Sequence, residues 1–350
     1  MGSETVSVAG VDAKLARGLA RYFGHTVDKA DGELELMFKS LLSDIFPHTP
    51  WRGRDSGHPT TRRLKSDDFN RGRLRFAARA EEAATALCVD SSPMGPRQGG
   101  IVSWVGVSRG EIDVAWRGGS SSYEQWVFDL NRIDASERRM SGRFWMAPVV
   151  VDHHIIERIF LRTDNTDQVA LRRVLGYAAV AASAIADAAL LASDSLRPGV
   201  VPSVAALPET DVVVPLPIGG ALVGGFCLSN AKVFRRSCVH QFTKNGYDVA
   251  RCRPRHDGPQ VVLHLKTYMN DQIIDPEQRV AVAALADYMA KADGLLRIVE
   301  PALAACPIPD TGFFSKDAAD WFAGLAGAHT AAASTFGHWC HRTKDAKWVA

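Results

Sequence analysis

The sequence predicts an α+β fold. It should have a helical N-terminal region, an antiparallel β-meander, central helices, a second antiparallel sheet and C-terminal helices. Two observations lead there. Runs of alternating polarity, broken by glycine pairs, fill two stretches, 101–151 and 211–269. Runs with apolar residues three and four apart lie before, between and after them. A chain of 350 residues, 46% of them apolar, can bury a large core. The expected division is a basic helical region over 1–98, an α+β core over 99–270, and C-terminal helices over 271–350 that pack on the core.

Residues 11–46 read as helical, with Leu15, Leu19, Tyr22 and Phe23 on one apolar side and a break between Gly24 and Gly32. Residues 47–66, rich in Pro, Gly, Thr and Arg, read as a basic loop, and 69–88 as a helix opening with Arg71, Arg73, Arg75 and Arg79. The meander comprises Ile101–Val107, Glu111–Arg117, Gln125–Asn131 and Phe144–Val151. Its first two turns fall at Ser108-Arg109-Gly110 and Gly118-Gly119-Ser120. Asp152 can cap a helix that starts near His153, and a second helix spans about Asp167–Ser193. The second β region holds Asp211–Leu216, Ala221–Leu228, Lys232–Phe242, Tyr247–Arg253 and Gln260–Met269, with Asn245-Gly246 as a hairpin signal. Helices starting at Asp275-Pro276 and Ser315 end the chain's regular structure.

Net charge is +2, so global charge names no partner. Local charge says more. Residues 51–80 hold nine Arg/Lys against three Asp, and 231–256 hold seven against one. Such segments are either solvated surface or contacts for an anion. Trp51 stands among Arg52, Arg54, Arg62 and Arg63, where an indole can stack on a base, and Arg235 and Arg236 lie in the second segment. The six cysteines are scattered without a CxxC pair, and residues 1–20 lack a signal-peptide pattern. Val174–Ala192 is Ala-rich and carries Asp187, which fits a buried helix better than a membrane span. These features predict a reducing, cytoplasmic location and no membrane partner.

The segment from Asp152 to Thr163 carries the strongest chemical signal. On a helix, His154, Arg158 and Arg162 stand at i, i+4 and i+8 and form a stripe beside the apolar face of Ile155, Ile156, Ile159 and Phe160. An imidazole can move a proton, and a guanidinium one turn away can hold a phosphate through two hydrogen bonds. The bland alternative is a solvated edge paired with Glu157 or Asp164. The spacing His154-x-x-x-Arg158-x-x-x-Arg162 resembles the motif helix of small ribonuclease-toxin-like domains of the barnase/RelE/colicin group. That resemblance covers about Val149–Met269 and implies metal-independent RNA cleavage. It also implies that a late strand, Val261–Tyr268, brings His264 and Lys266 to the site. By alternation those two share a face with Tyr268, while Thr267 points the other way.

Gly110-Glu111-Ile112-Asp113-Val114-Ala115 resembles a metal-binding strand of restriction-endonuclease-like nucleases. That resemblance implies a Mg²⁺ site shared by Asp113 and Asp129, with Asn131 standing where the family carries a lysine. A surface hairpin explains the same residues. Cys238, His240, Cys252 and His256 lie close enough in sequence for a Zn²⁺ site, but their spacing matches no common zinc pattern. Gly219-Gly220 and Gly224-Gly225 read as turns or bulges rather than a phosphate loop.

The leading expectation is a nucleic-acid-acting, metal-independent endoribonuclease-like protein that needs no cofactor. His154 would be its acid/base, with Arg158, Arg162, Lys266 and His264 around the phosphate. The alternatives are a non-enzymatic nucleic-acid-binding or scaffold protein, and the Mg²⁺ nuclease. The N-terminal helices are a candidate surface for a protein partner.

Overall fold

The structure is a computed structural model. It describes residues 11–27, 90–91, 100–116, 119–135, 139–163, 166–192, 203–231, 237–243, 246–251, 259–291 and 316–337. The described elements run α1 (13–27), β1 (Asp90–Ser91), β2 (Gly100–Trp116), β3 (Gly119–Ala135), β4 (Arg139–Asp152), α2 (His154–Arg162), α3 (Gln168–Ala192), β5 (Val212–Pro215) and β6 (Ala221–Ser229). They continue with β7 (Ser237–Thr243), β8 (Gly246–Arg251), β9 (Gln260–Met269), α4 (Pro276–Ala290) and α5 (Lys316–Phe336). The α+β class stands. Both β regions, however, belong to a single mixed sheet, ordered β1-β2-β3-β4-β9-β6-β5, with β7 on the first half of β4 and β8 on β7. The regions join through β4, which pairs β7 antiparallel along its first half and β9 in parallel at Val149–Val151 with Leu263–Leu265, long-range contacts that no local pattern announces.

β2 also meets β6 at Ala115↔Leu228. This closes β2-β3-β4-β9-β6 into a ring of five strands. A small apolar cluster draws on every member of the ring: Ile112 and Val114, Val127, Met146 and Val150, Val262, and Cys227. It fills the inside of the closure, as side chains do in a small barrel. The opposite face carries Trp126, Phe128, Val149, Val151, Leu263 and Leu265 into the main core under α1, α2 and α3.

Ser108-Arg109-Gly110, expected as a turn, lies inside one continuous strand. β3 pairs along the whole of β2, with Ser108↔Val127, Arg109↔Trp126 and Gly110↔Gln125, and this ladder overrides a weak local turn preference. Arg109 then lies over the Trp126 ring at 5.7 Å. Its guanidinium also packs on α1 at Gly24, where an added Cβ would stand 3.2 Å from Arg109 Cζ. Gly24 thus lies inside a helix that runs on to residue 27, where the sequence suggests a break, and its missing side chain leaves room for Arg109. The buried stripe of α1 is Ala16, Phe23 and Val27, with Leu19 and Ala20 half-buried, while Leu15 and Tyr22 face outward. The apolar spacing was right and its phase was off by one residue.

The expected helix starts hold where they are described. Asp12 Oδ1 accepts the Lys14 and Leu15 N–H groups, and Asp167 Oδ1 accepts Val169 N–H. Asp275 and Gln278 form a reciprocal capping box with Pro276 in the first turn. α3 is long and apolar enough to cross a membrane, yet most of it is buried within the fold. Ala178–Ala188 is buried all round, as a central core helix is. α5 covers the outer edge of β5, where His329 Nε2 accepts Val213 N–H at 3.2 Å.

Candidate functional site

The site sits where β4 runs into α2. Asp152 is 9% exposed and ends β4, while His153 and His154 are exposed. Asp152 Oδ1 accepts the His154 backbone N–H at 3.0 Å and lies 3.5 Å from His153 Nδ1. The two imidazole rings stand 3.8 Å apart between centroids. Burial lowers the His154 pKa from its ordinary value, Asp152 pulls it back up, and His153 and Arg158 push it down further. Asp152, expected as a cap, does accept the His154 backbone N–H and also stands beside the His153 imidazole. The sequence signal for this is the contiguous Asp152-His153-His154, which also marks a helix start.

Of the stripe His154-Arg158-Arg162, the two arginines face β9. Their guanidiniums have a structural task there. β4 stops one residue after Val151↔Leu265, so the end of β9 loses its strand neighbour. Arg162 donates to the Tyr268 carbonyl, where a neighbouring strand would have supplied a donor, and Arg158 donates to the Thr267 side-chain hydroxyl. Asn270 Nδ2 donates back to the Arg162 carbonyl at 3.3 Å. Burial lowers the pKa of both guanidiniums, which lose hydration against this edge. Glu157 turns away to Arg17 of α1 at 3.1 Å. Arg162→Ala should therefore cost stability, about 1–3 kcal/mol for a charged donor removed from a part-buried carbonyl. Urea unfolding checks this, and an unchanged midpoint would remove the clamp.

His264 and Lys266 share a face against Trp116, but Tyr268 departs from it. The β6–β9 register slips between Val223↔Thr267 and Gly224↔Leu265, leaving Lys266 as an extra, bulged residue. The bulge sends Tyr268 into the main core beside Leu263 and Leu265, so the expected shared face of His264, Lys266 and Tyr268 does not form. Lys266 Nζ lies 4.5 Å from the centre of the Trp116 ring, and the His264 ring lies 6.5 Å from it. His264 is fully buried, and burial with Lys266 nearby pushes its pKa down to about 3. Beside it, burial pushes the Cys227 thiol up to about 12. The Tyr268 hydroxyl donates to the Gly219 carbonyl. His264 thus lies inside the ring, shut away from a polymer, whereas Lys266 is half-buried and follows Leu265 as Asp152 follows Val151 on the neighbouring strand.

The acidic pair expected to share Mg²⁺ is not brought together. Asp113 stands opposite Ser122, seven residues along β3 from Asp129. At about 3.3 Å per residue that is roughly 23 Å, far beyond a shared ion. Trp51, Arg52, Arg54, Arg62, Arg63, Arg235 and Arg236 lie outside the described residues, as do Cys252 and His256 and the side chains of Cys238 and His240. Comparison of the chain with protein-family models, with curated proteins and with solved structures finds no match.

Proposed function

We propose that the protein acts on nucleic acid as a metal-independent endoribonuclease-like protein centred on His154. The observation that carries this reading is the exposed His153–His154 imidazole pair on the nearly buried Asp152 carboxylate. One imidazole accepts the proton of a ribose 2′-hydroxyl as that oxygen attacks phosphorus. The other gives a proton to the departing 5′-oxygen, and the products are a 2′,3′-cyclic phosphate and a free 5′-hydroxyl. Asp152 fixes the His154 backbone and faces the His153 imidazole. Arg158, one helical turn from His154, and Lys266 supply positive charge toward the phosphate. Arg162, on the Tyr268 carbonyl, and the enclosed His264 take no part in this revised site.

The test is purified protein with labelled RNA in EDTA. Cleavage that leaves a cyclic phosphate is expected, along with a loss of at least about 100-fold in His154→Ala, the usual scale for removing a positioned acid or base. Asp113→Ala should cleave as the parent does. Uncut RNA, or cutting that survives His154→Ala, overturns the reading. Intact RNA that the protein still retains, with affinity falling steeply as salt rises, leaves the non-enzymatic binder.

A further inference from the structure

We propose that Asp152, His153 and His154 also form a binding site for a borderline divalent metal ion of the Zn²⁺ class, and that the ion occupies the groups the RNA reaction needs. One ligand atom from each residue lies within 4.8 Å of the other two. His153 Nδ1 and Asp152 Oδ1 stand 3.5 Å apart. Around a tetrahedral zinc with ligands at about 2.0–2.1 Å, neighbouring ligand atoms stand roughly 3.4 Å apart. That pair is therefore already at coordination spacing. The His154 imidazole, its ring 3.8 Å from that of His153, reaches a common ion by side-chain rotation.

The donor chemistry selects the metal. Two imidazoles and one carboxylate suit Zn²⁺, Co²⁺ or Ni²⁺, whereas Mg²⁺ prefers oxygen ligands throughout. The carboxylate is oriented by the His154 backbone N–H, the kind of hydrogen bond that ligating carboxylates receive in metal sites. Both histidines are exposed, which gives the ion a path in and leaves a coordination position for water. Arg158, whose charge acts on both Asp152 and His154, opposes the cation. Its contact with Thr267 anchors that charge on the β9 side. Three ligands from adjacent residues and one opposing cation describe an exchangeable site, not a structural one.

The binding claim stands without the nuclease reading; only its inhibitory consequence rests on that reading. Full-length protein stripped with EDTA and freed of chelator is titrated with Co²⁺, following visible absorption, and then with Zn²⁺ in competition. The parent should bind one equivalent more than His153→Ala, His154→Ala or Asp152→Asn. Cysteines and histidines elsewhere are common to all four chains and cancel in the difference. The two histidines are exposed, so their variants should keep the parent's circular dichroism. Equal stoichiometry in parent and variants overturns the site. Separately, Zn²⁺ should suppress RNA cleavage in the parent, and EDTA should restore it. Binding without any cleavage in EDTA removes the nuclease reading and leaves the metal site; cleavage without the extra equivalent does the reverse.

Discussion

Lowering the pH from 7.5 to 5 should remove about 4 kcal/mol of stability, through two enclosed histidines. Burial holds His329 down to about 4 and, with Lys266, holds His264 down to about 3. The unfolded chain takes up protons at both near pH 6.5, before the folded chain does. Their contribution is therefore fully present above pH 6.5. It falls as the pH drops toward about 4 for His329 and about 3 for His264, where the folded state also becomes protonated. At pH 5 each has lost about 2 kcal/mol, from 1.5 pH units at 1.36 kcal/mol each. Most carboxylates titrate lower, so the upper part of this window belongs to the histidines. Urea unfolding at both pH values measures it. His329→Leu separates the two: it should lower stability at pH 7.5, because the Val213 N–H loses its acceptor, and halve the slope toward acid. A stability constant between pH 7.5 and 5 would mean that neither ring is enclosed.

Gly224→Ala should destabilise by about 3 kcal/mol, the upper end for forcing an atom into a packed site, while Gly225→Ala should change stability by less than about 1 kcal/mol. A Cβ on Gly224 would stand 2.0 Å from the His264 carbonyl oxygen and 2.7 Å from Leu265 Cα. Both are backbone atoms of β9 beside the Lys266 bulge, so relief requires the strand to move. A Cβ on Gly225 meets nothing within 4 Å. The pair shares composition and strand context, which isolates the close approach as the cause. Thermal unfolding of the two variants checks it, and similar losses in both would show that the bulge yields cheaply. The same bulge aims Lys266 at Trp116, so Gly224→Ala should also weaken the proposed RNA cleavage, though far less than His154→Ala does.

Period and punctuation decided much of this protein from the sequence alone. Gln260–Met269 was legible to its ends because alternation and flanking polar residues mark a strand by local sterics. The α2 stripe and its apolar face were legible because residues three and four apart share a side of any helix. Asp275-Pro276 announced α4 through the same local chemistry that now caps it. Tertiary structure decided the rest, because it depends on partners distant in sequence. The pairings of β4 with β7 and β9 merged two expected sheets into one, and the β2–β6 contact closed a ring that enclosed His264. One bulged residue undid the alternation that had grouped Lys266 with Tyr268. The arginines were visible as charges, but their work was set by where β4 happens to end. A strand edge left without a neighbour needs donors, and Arg162 supplies one to the Tyr268 carbonyl while Arg158 holds the Thr267 hydroxyl beside it.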